Sequence, residues 1–439
     1  MYNSKQRERR QIILGGISIQ RQQKTGQERP EATNRTKYLF LLIYALSLLL
    51  FGLMADKPQR ILEGLYSIVL SPDILITDYI AVGGMGACFV NSGLVTLAAI
   101  ILLLVLRIDL DGRSYIAVFL MSSFALFGKN IVNIWVIILG VYLYTKFKKE
   151  RFSDNVTTAL LGTSMAPAVT ELLFHIDQPL WIRLVLTLLI GSFIGFILPP
   201  LTAHVFAFHK GYNLYNVGFA AGIIGTVAVA LSISYGFEPR SHLIWSSGNN
   251  IILGIYLSVI FLAFILTGYI LNHNSFHGVK NIMNSNGRLA SDFIKSESFG
   301  ASLVNMGLNG FVGMGYVLAV GGPLNGPTIG GILTIVGFGA YGKNVKNITP
   351  IMLGGFIGVV TKIWEVDDPR LLLAALFGTA LAPISGVYGW KYGMIAGFIN
   401  SSVVLSVGIL HGGMNLYNTG FSSGIVAAIM IPVIRSIKK

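Results

Sequence analysis

The chain has a single cysteine, Cys88, among 439 residues. That excludes an intramolecular disulfide and any multi-cysteine metal or cluster site. In its apolar stretch, Cys88 reads as a small packed hydrophobe. Charge is scarce as well. Asp, Glu, Lys and Arg make up 12% of the chain, against about 25% in soluble domains. With 53% apolar residues and a mean hydropathy of +0.68, the composition excludes a soluble enzyme, a nucleic-acid-binding domain and a disordered chain. No His-Glu-x-x-His or Gly-x-x-x-x-Gly-Lys-Ser/Thr sequence occurs. No enzyme activity, metal, cofactor or ATP-driven pumping by this chain alone is therefore expected.

Glycine is abundant, with 51 residues, or roughly 12% against a typical 7%. Transmembrane helices use glycine at close contacts and at breaks. The chain reads as an all-α integral membrane protein. Its net charge of +13 is uneven. Residues 1–37 carry nine basic residues against three acidic ones, a net +6. This tail precedes the first apolar run near Tyr38 and reads as a cytoplasmic flank contacting anionic membrane lipids, with no nucleic-acid partner. No cleavable signal peptide is expected.

The chain repeats itself. A shift of 214 residues lays 78–94 over 292–308 with eight identities in 17, and GKNIVNIWVIILG (128–140) over GKNVKNITPIMLG (342–354) with eight in 13. ALLGTSMAP (159–167) matches ALFGTALAP (375–383) at six of nine, and HKGYNLYNVGFAAGI (209–223) matches HGGMNLYNTGFSSGI (411–425) at ten of 15. The order is the same in both halves. We divide the chain into the tail 1–37, a first repeat 38–249 and a second repeat 250–439. Each repeat has the size of a transporter half.

Loop charge favours inverted topology. The loop after the first GKN block has Lys146, Lys148, Lys149 and Arg151 against Glu150 and Asp154, net +2. Its counterpart has Lys362 and Arg370 against Glu365, Asp367 and Asp368, net −1. Equivalent loops of opposite bias belong on opposite sides of the membrane. Both termini are then cytoplasmic, in the cytoplasmic membrane. Runs 38–54, 179–199, 251–270 and 391–410 are long enough to span the bilayer, whereas 94–106, 115–127 and 131–145 are shorter. About 10 to 14 membrane segments are expected, some broken or re-entrant.

The matched blocks hold the candidate site residues. Asn91 and Asn305 lie in Val-Asn-x-Gly stretches, expected to be helix breaks. Their amides can bind a polar solute or satisfy backbone groups there. Thr163 and Thr379 open Gly-Thr-x-x-Ala-Pro breaks, where proline frees a carbonyl and the hydroxyls line an apolar wall. Asn213, Asn216, Asn415 and Asn418 flank Tyr215 and Tyr417. They are expected to start short helices whose amides face a cavity, with the tyrosines closing the site. His209 and His411 match; they either lie on the path or make interfacial hydrogen bonds. Lys129 and Lys343 also match. They are buried if the hairpin is re-entrant and reach the surface if it spans. Glu171, with His175 on the same helix face, has no counterpart near Val387. It is a candidate for ion or proton coupling, as are both lysines.

With its paired Val-Asn-x-Gly-Leu, Gly-Lys-Asn and Asn-Leu-Tyr-Asn-x-Gly-Phe motifs, the chain resembles a family of uncharacterised bacterial integral membrane proteins, classed as a domain of unknown function. A lesser likeness, through Phe89–Leu94, Gly322–Gly326 and Gly211–Asn213, is to the two-repeat urea channels. Urea is not carried over as a substrate. The expected function is passage of a small polar solute or ion through the repeat interface, as a channel or secondary transporter. The alternatives are a non-transporting scaffold or assembly protein and, less favoured, a membrane-embedded enzyme. A homo-oligomer is compatible with this reading.

Overall fold

The computed structural model describes residues 32–236, 243–288, 291–365 and 368–438. Most of the basic tail, residues 1–31, and Asp367 of the second charged loop lie outside the described residues. The described chain is helical. Ten of its helices are long and apolar enough to cross a membrane.

The first repeat runs α1 (Asn34–Ala55), α2 (Pro58–Leu70), α3 (Tyr79–Val105), α4 (Gly112–Phe124), α5 (Trp135–Lys148), α6 (the broken span Phe152–His175), α7 (Leu180–His209) and α8 (Asn216–Ser234). The second repeats this order: α9 (Asn250–Leu271), α10 (Val279–Asn284), α11 (Phe299–Ala319), α12 (Gly326–Phe338), α13 (Val345–Val360), α14 (the broken span Pro369–Tyr388), α15 (Trp390–Leu410) and α16 (Asn418–Ile437). On α1, Leu39, Ile43, Leu46, Leu50 and Leu53 are exposed, and on α9 so are Ile255, Val259, Leu262, Leu266 and Ile270. Their spacing of three to four residues makes an outward apolar stripe suited to lipid.

The run 94–106 is not a short segment of its own. It is the end of the 27-residue α3, whose first half is interrupted by Gly83, Gly84, Gly86, Asn91 and Ser92 and so does not read as a hydrophobic run. The helix breaks at Gly84, where φ is +85°, a conformation open to glycine. Asp56 caps the restarted helix by accepting the Gly86 N–H at 2.7 Å. In the second repeat, Ser298 caps α11 through the Ala301 N–H at 3.0 Å and donates to Asn272 at 2.9 Å.

Helices α4 and α12 form the centre. Each has 13 residues, or about 20 Å of helix, short of the roughly 30 Å of hydrocarbon. Every residue of α12 is buried, and in α4 only Arg113 is not. They pack antiparallel: Gly112 abuts Ala340, Gly337 abuts Phe119, and Ser123 donates to Gly330 O at 2.5 Å and pairs with Thr334 at 2.9 Å.

Each repeat completes the other. Asp78 accepts the Gly326 N–H at 3.1 Å, and Asp292 accepts the Gly112 N–H at 3.2 Å. The Leu214 N–H donates to Ala380 O at 3.0 Å, and the Leu416 N–H to Ser164 O at 3.0 Å. At the loop surface Lys295 Nζ lies 2.6 Å from Asp111 Oδ2, joining the repeats again. Burial alone would raise the Asp111 carboxyl; the Lys295 hydrogen bond and charge, with the Ser114 bonds, outweigh burial and hold it below its ordinary range.

Candidate functional site at the repeat interface

Beyond α4 and α12 the chain turns back through the two Gly-Lys-Asn motifs. In the first turn the Asn130 N–H donates to Asn133 Oδ1 at 2.9 Å, and the Asn133 N–H to Asn130 Oδ1 at 3.0 Å. Asn344 and Asn347 repeat this at 2.9 and 3.1 Å. The duplicated Asn-x-x-Asn spacing thus closes each turn without water.

Asn91 and Asn305 hold these turns from outside. Asn91 Nδ2 donates to Ala125 O at 2.7 Å and Lys129 O at 2.8 Å; Asn305 Nδ2 donates to Gly339 O at 2.7 Å and Lys343 O at 2.8 Å. Neither asparagine marks a break, since α3 and α11 run through them unbroken. Their N–H groups are committed to backbone carbonyls freed at the turns.

Lys129 and Lys343 project from the turns and are both 0% exposed, so neither reaches the surface. Their surroundings differ. Lys343 Nζ donates to Tyr215 Oη at 2.6 Å and to Thr379 Oγ1 at 2.7 Å, with the Tyr215 and Phe338 rings within 5 Å. The equivalent partners of Lys129 are Tyr417 and Thr163. Lys129 Nζ instead lies 3.6 Å from Met121 Sδ and 4.9 Å from the Phe124 ring centre. Thr163 Oγ1 is 3.3 Å from the same sulfur, and its own hydrogen goes to Leu160 O at 2.6 Å. Among the described residues, Tyr417 Oη and Ser164 Oγ are buried without a hydrogen-bond partner. The two tyrosine rings meet at 4.6 Å between the repeats.

The Asn-Leu-Tyr-Asn segments are tight loops between long helices. Asn216 and Asn418 open helices of 19 and 20 residues rather than short ones. Asn213 Nδ2 crosses to Gly420 O at 2.9 Å, and Asn415 Nδ2 to Gly218 O at 3.3 Å. His209 Nε2 is 2.8 Å from Asn216 Oδ1, and His411 Nε2 is 2.9 Å from Asn418 Oδ1. Each histidine therefore ties its loop to the next helix. Only the tyrosines of this block come together with the lysines and threonines.

Sequence reasoning missed a second cluster. Buried Asp73 accepts hydrogen bonds from Tyr79 Oη, Asn133 Nδ2 at 2.8 Å, Asn130 Nδ2 at 3.3 Å and Thr170 Oγ1 at 2.5 Å. Glu171 follows Thr170; it is 6% exposed, and its Oε1 is 3.6 Å from His175 Nδ1. The repeat gives no signal for Asp73, because Gly287 stands at its counterpart. The signal available was the doubled Asn-x-x-Asn, which in the first repeat also serves a carboxylate.

A cavity of about 570 Å³ opens beside this centre, lined by Ile76, Arg370, Phe377, Ser406, Leu416 and Asn418 among others. Phe377 stacks on Phe124 at 5.9 Å, so the cavity floor lies one side-chain layer from Lys129.

Apolar spans, two homologous halves and central helices too short to cross define a multi-pass membrane protein built from tandem repeats. A family model described as "Protein of unknown function (DUF1576)" matches residues 57–234 and 271–436. The chain belongs to this family. The two matched segments start 214 residues apart and end 202 apart, the shifts that align the sequence blocks. No curated protein and no solved structure matches the chain.

Proposed function

We propose that the chain passes a small polar solute or ion across the cytoplasmic membrane, through a site between two inverted repeats, with both termini cytoplasmic. One observation carries this reading: two helices of 13 residues, buried at the repeat interface and too short to span the bilayer, each end in a turn bearing a buried lysine. A cation at membrane depth is expensive and marks a function by default. Irregular backbone there is tolerated only against protein or a water-filled cavity. Matching short segments in two halves point to a transport site. The antiparallel pairing of α4 and α12, equivalent helices of the two repeats, supports inversion. No catalytic step is part of the proposal.

The cluster of Asp73, Thr170 and Glu171, present in one repeat only, favours gradient-coupled transport over a plain channel. The test is flux into proteoliposomes, scanning small organic anions, ammonium, urea and glycerol with and without a proton or sodium gradient. Solute uptake above protein-free liposomes, lost in Lys343→Met, is expected. A well-inserted sample that moves none of these solutes overturns the proposal.

A further inference from the structure

The two lysine pockets are equivalent by sequence and unequal in structure. Lys343 is surrounded by oxygen: Tyr215 Oη and Thr379 Oγ1 both accept from it. The residues equivalent by sequence in the first pocket are Lys129, Tyr417 and Thr163; Lys129 and Tyr417 both pack on the Phe124 ring, and Lys129 and Thr163 both reach the Met121 sulfur, yet those bonds are not made. Met121 occupies the position equivalent to Ile335 and places its sulfur between Lys129 and Thr163. Among the described residues Lys129 Nζ has no oxygen acceptor and no ion pair. Among the described residues neither Tyr417 Oη nor Ser164 Oγ has a hydrogen-bond partner. Ser164 stands where the second repeat has Ala380, so this pocket carries one hydroxyl more.

We propose that the Lys129–Tyr417–Ser164 pocket binds a small monovalent anion of the carboxylate class. The inference rests on the transport reading and names its substrate class. An ammonium removed from water needs a counter-charge or hydrogen-bond acceptors. Unpaired hydroxyl donors beside it are each unfavourable unless something accepts from them. A carboxylate offers two oxygens and about four lone-pair sites, enough for one ammonium and two hydroxyls. A single lysine matches a single charge. Phe124 and Met121 form an apolar wall for a short aliphatic tail, and the cavity floored by Phe377 and Leu416 is the approach.

The experiment uses the full chain in lipid nanodiscs, titrated with sodium acetate, butyrate and nitrate, and with phosphate and glycerol for comparison. Binding is read by calorimetry and by the shift in Tm. Acetate or butyrate is expected to bind and to raise Tm. Lys129→Met loses both signals, and Tyr417→Phe weakens binding about tenfold, one hydrogen bond to a charged group. The exposed Lys346→Met binds as the parent does. Unchanged butyrate binding in both Lys129→Met and Tyr417→Phe overturns the proposal, as does stabilisation by glycerol or phosphate with none by the monovalent anions. Binding that follows this pattern without anion flux in proteoliposomes leaves the pocket standing and removes the transport reading instead.

Discussion

The carboxylate of Asp78 accepts the backbone N–H of Gly326 at 3.1 Å, so the first repeat caps a helix of the second. Asp292 returns the contact to Gly112 at 3.2 Å. A helix N-terminus leaves donors that must find partners, and in a membrane water is scarce. Asp111 and Asn325 cap α4 and α12 from within their own repeats, and each half leaves the first N–H of its central helix unpaired without the other. The duplication is more than sequence history, because the repeats fold as partners.

The two caps are unequal, which sets an order of stability. Buried Asp78 also accepts the N–H of Ile80 at 3.0 Å and both the N–H and the hydroxyl of Ser246. Asp292 serves the N–H groups of Gly112 and Lys295 at the loop surface. Each buried donor left unpaired costs about 1–3 kcal/mol. Asp78→Ala should therefore lower Tm more than Asp292→Ala, with Asp78→Asn between them. Thermal unfolding of the purified variants decides this. Equal losses for the two alanine variants would show that the Gly326 N–H finds another acceptor when Asp78 is gone.

The cross-repeat ion pair of Asp111 and Lys295 gives a pH signature. The folded-state carboxyl is held below its ordinary value, so its stabilising contribution is present above pH of about 4. It is lost as pH falls through the folded-state pKa. Lys295 is 66% exposed, so screening keeps the coupling below about 1 kcal/mol. A double-mutant cycle of Asp111→Asn and Lys295→Met, read as Tm, should give positive coupling at pH 7 and none near pH 2. Coupling that survives at the acid end would assign the pair's effect to packing.

Much of this architecture was written in the duplicated blocks. The two halves and the pairing of Lys129 with Lys343, Thr163 with Thr379 and Tyr215 with Tyr417 all followed from identity at fixed offsets. What was hidden is what breaks the symmetry. Asp73 faces Gly287 in the alignment, so no repeat signal marked it. Asn91 and Asn305 are matched across the repeats, yet they hold backbone turns, because a duplicated structural need preserves residues as firmly as a duplicated site. The burial of the lysines depends on α4 and α12 stopping short of the bilayer, which neither hydropathy nor spacing decides.

Inversion of the repeats can be read directly. Lys149 and Glu365 lie in equivalent loops of the two repeats, and both are exposed. Cys88 is fully buried, so it gives little background labelling. In intact cells a membrane-impermeant maleimide should label Glu365→Cys, whereas Lys149→Cys should label only after permeabilisation. Labelling of both from the same side would make the repeats parallel and end the inverted reading.

Glu171 is the sharpest test of gradient coupling. It lies in the broken span α6 next to Thr170, which hydrogen-bonds Asp73 at 2.5 Å. Its equivalent in the second repeat is Val387, so the carboxylate is not needed to fold a span of this kind. A buried carboxylate in a membrane segment is costly to keep, and its only ion pair among the described residues is to the half-exposed His175. Glu171→Gln keeps the shape and removes the exchangeable charge. In proteoliposomes it should retain downhill flux while losing accumulation driven by a gradient, by at least tenfold. Accumulation at the parent level would remove Glu171 from coupling and leave Asp73 as the carboxylate to test.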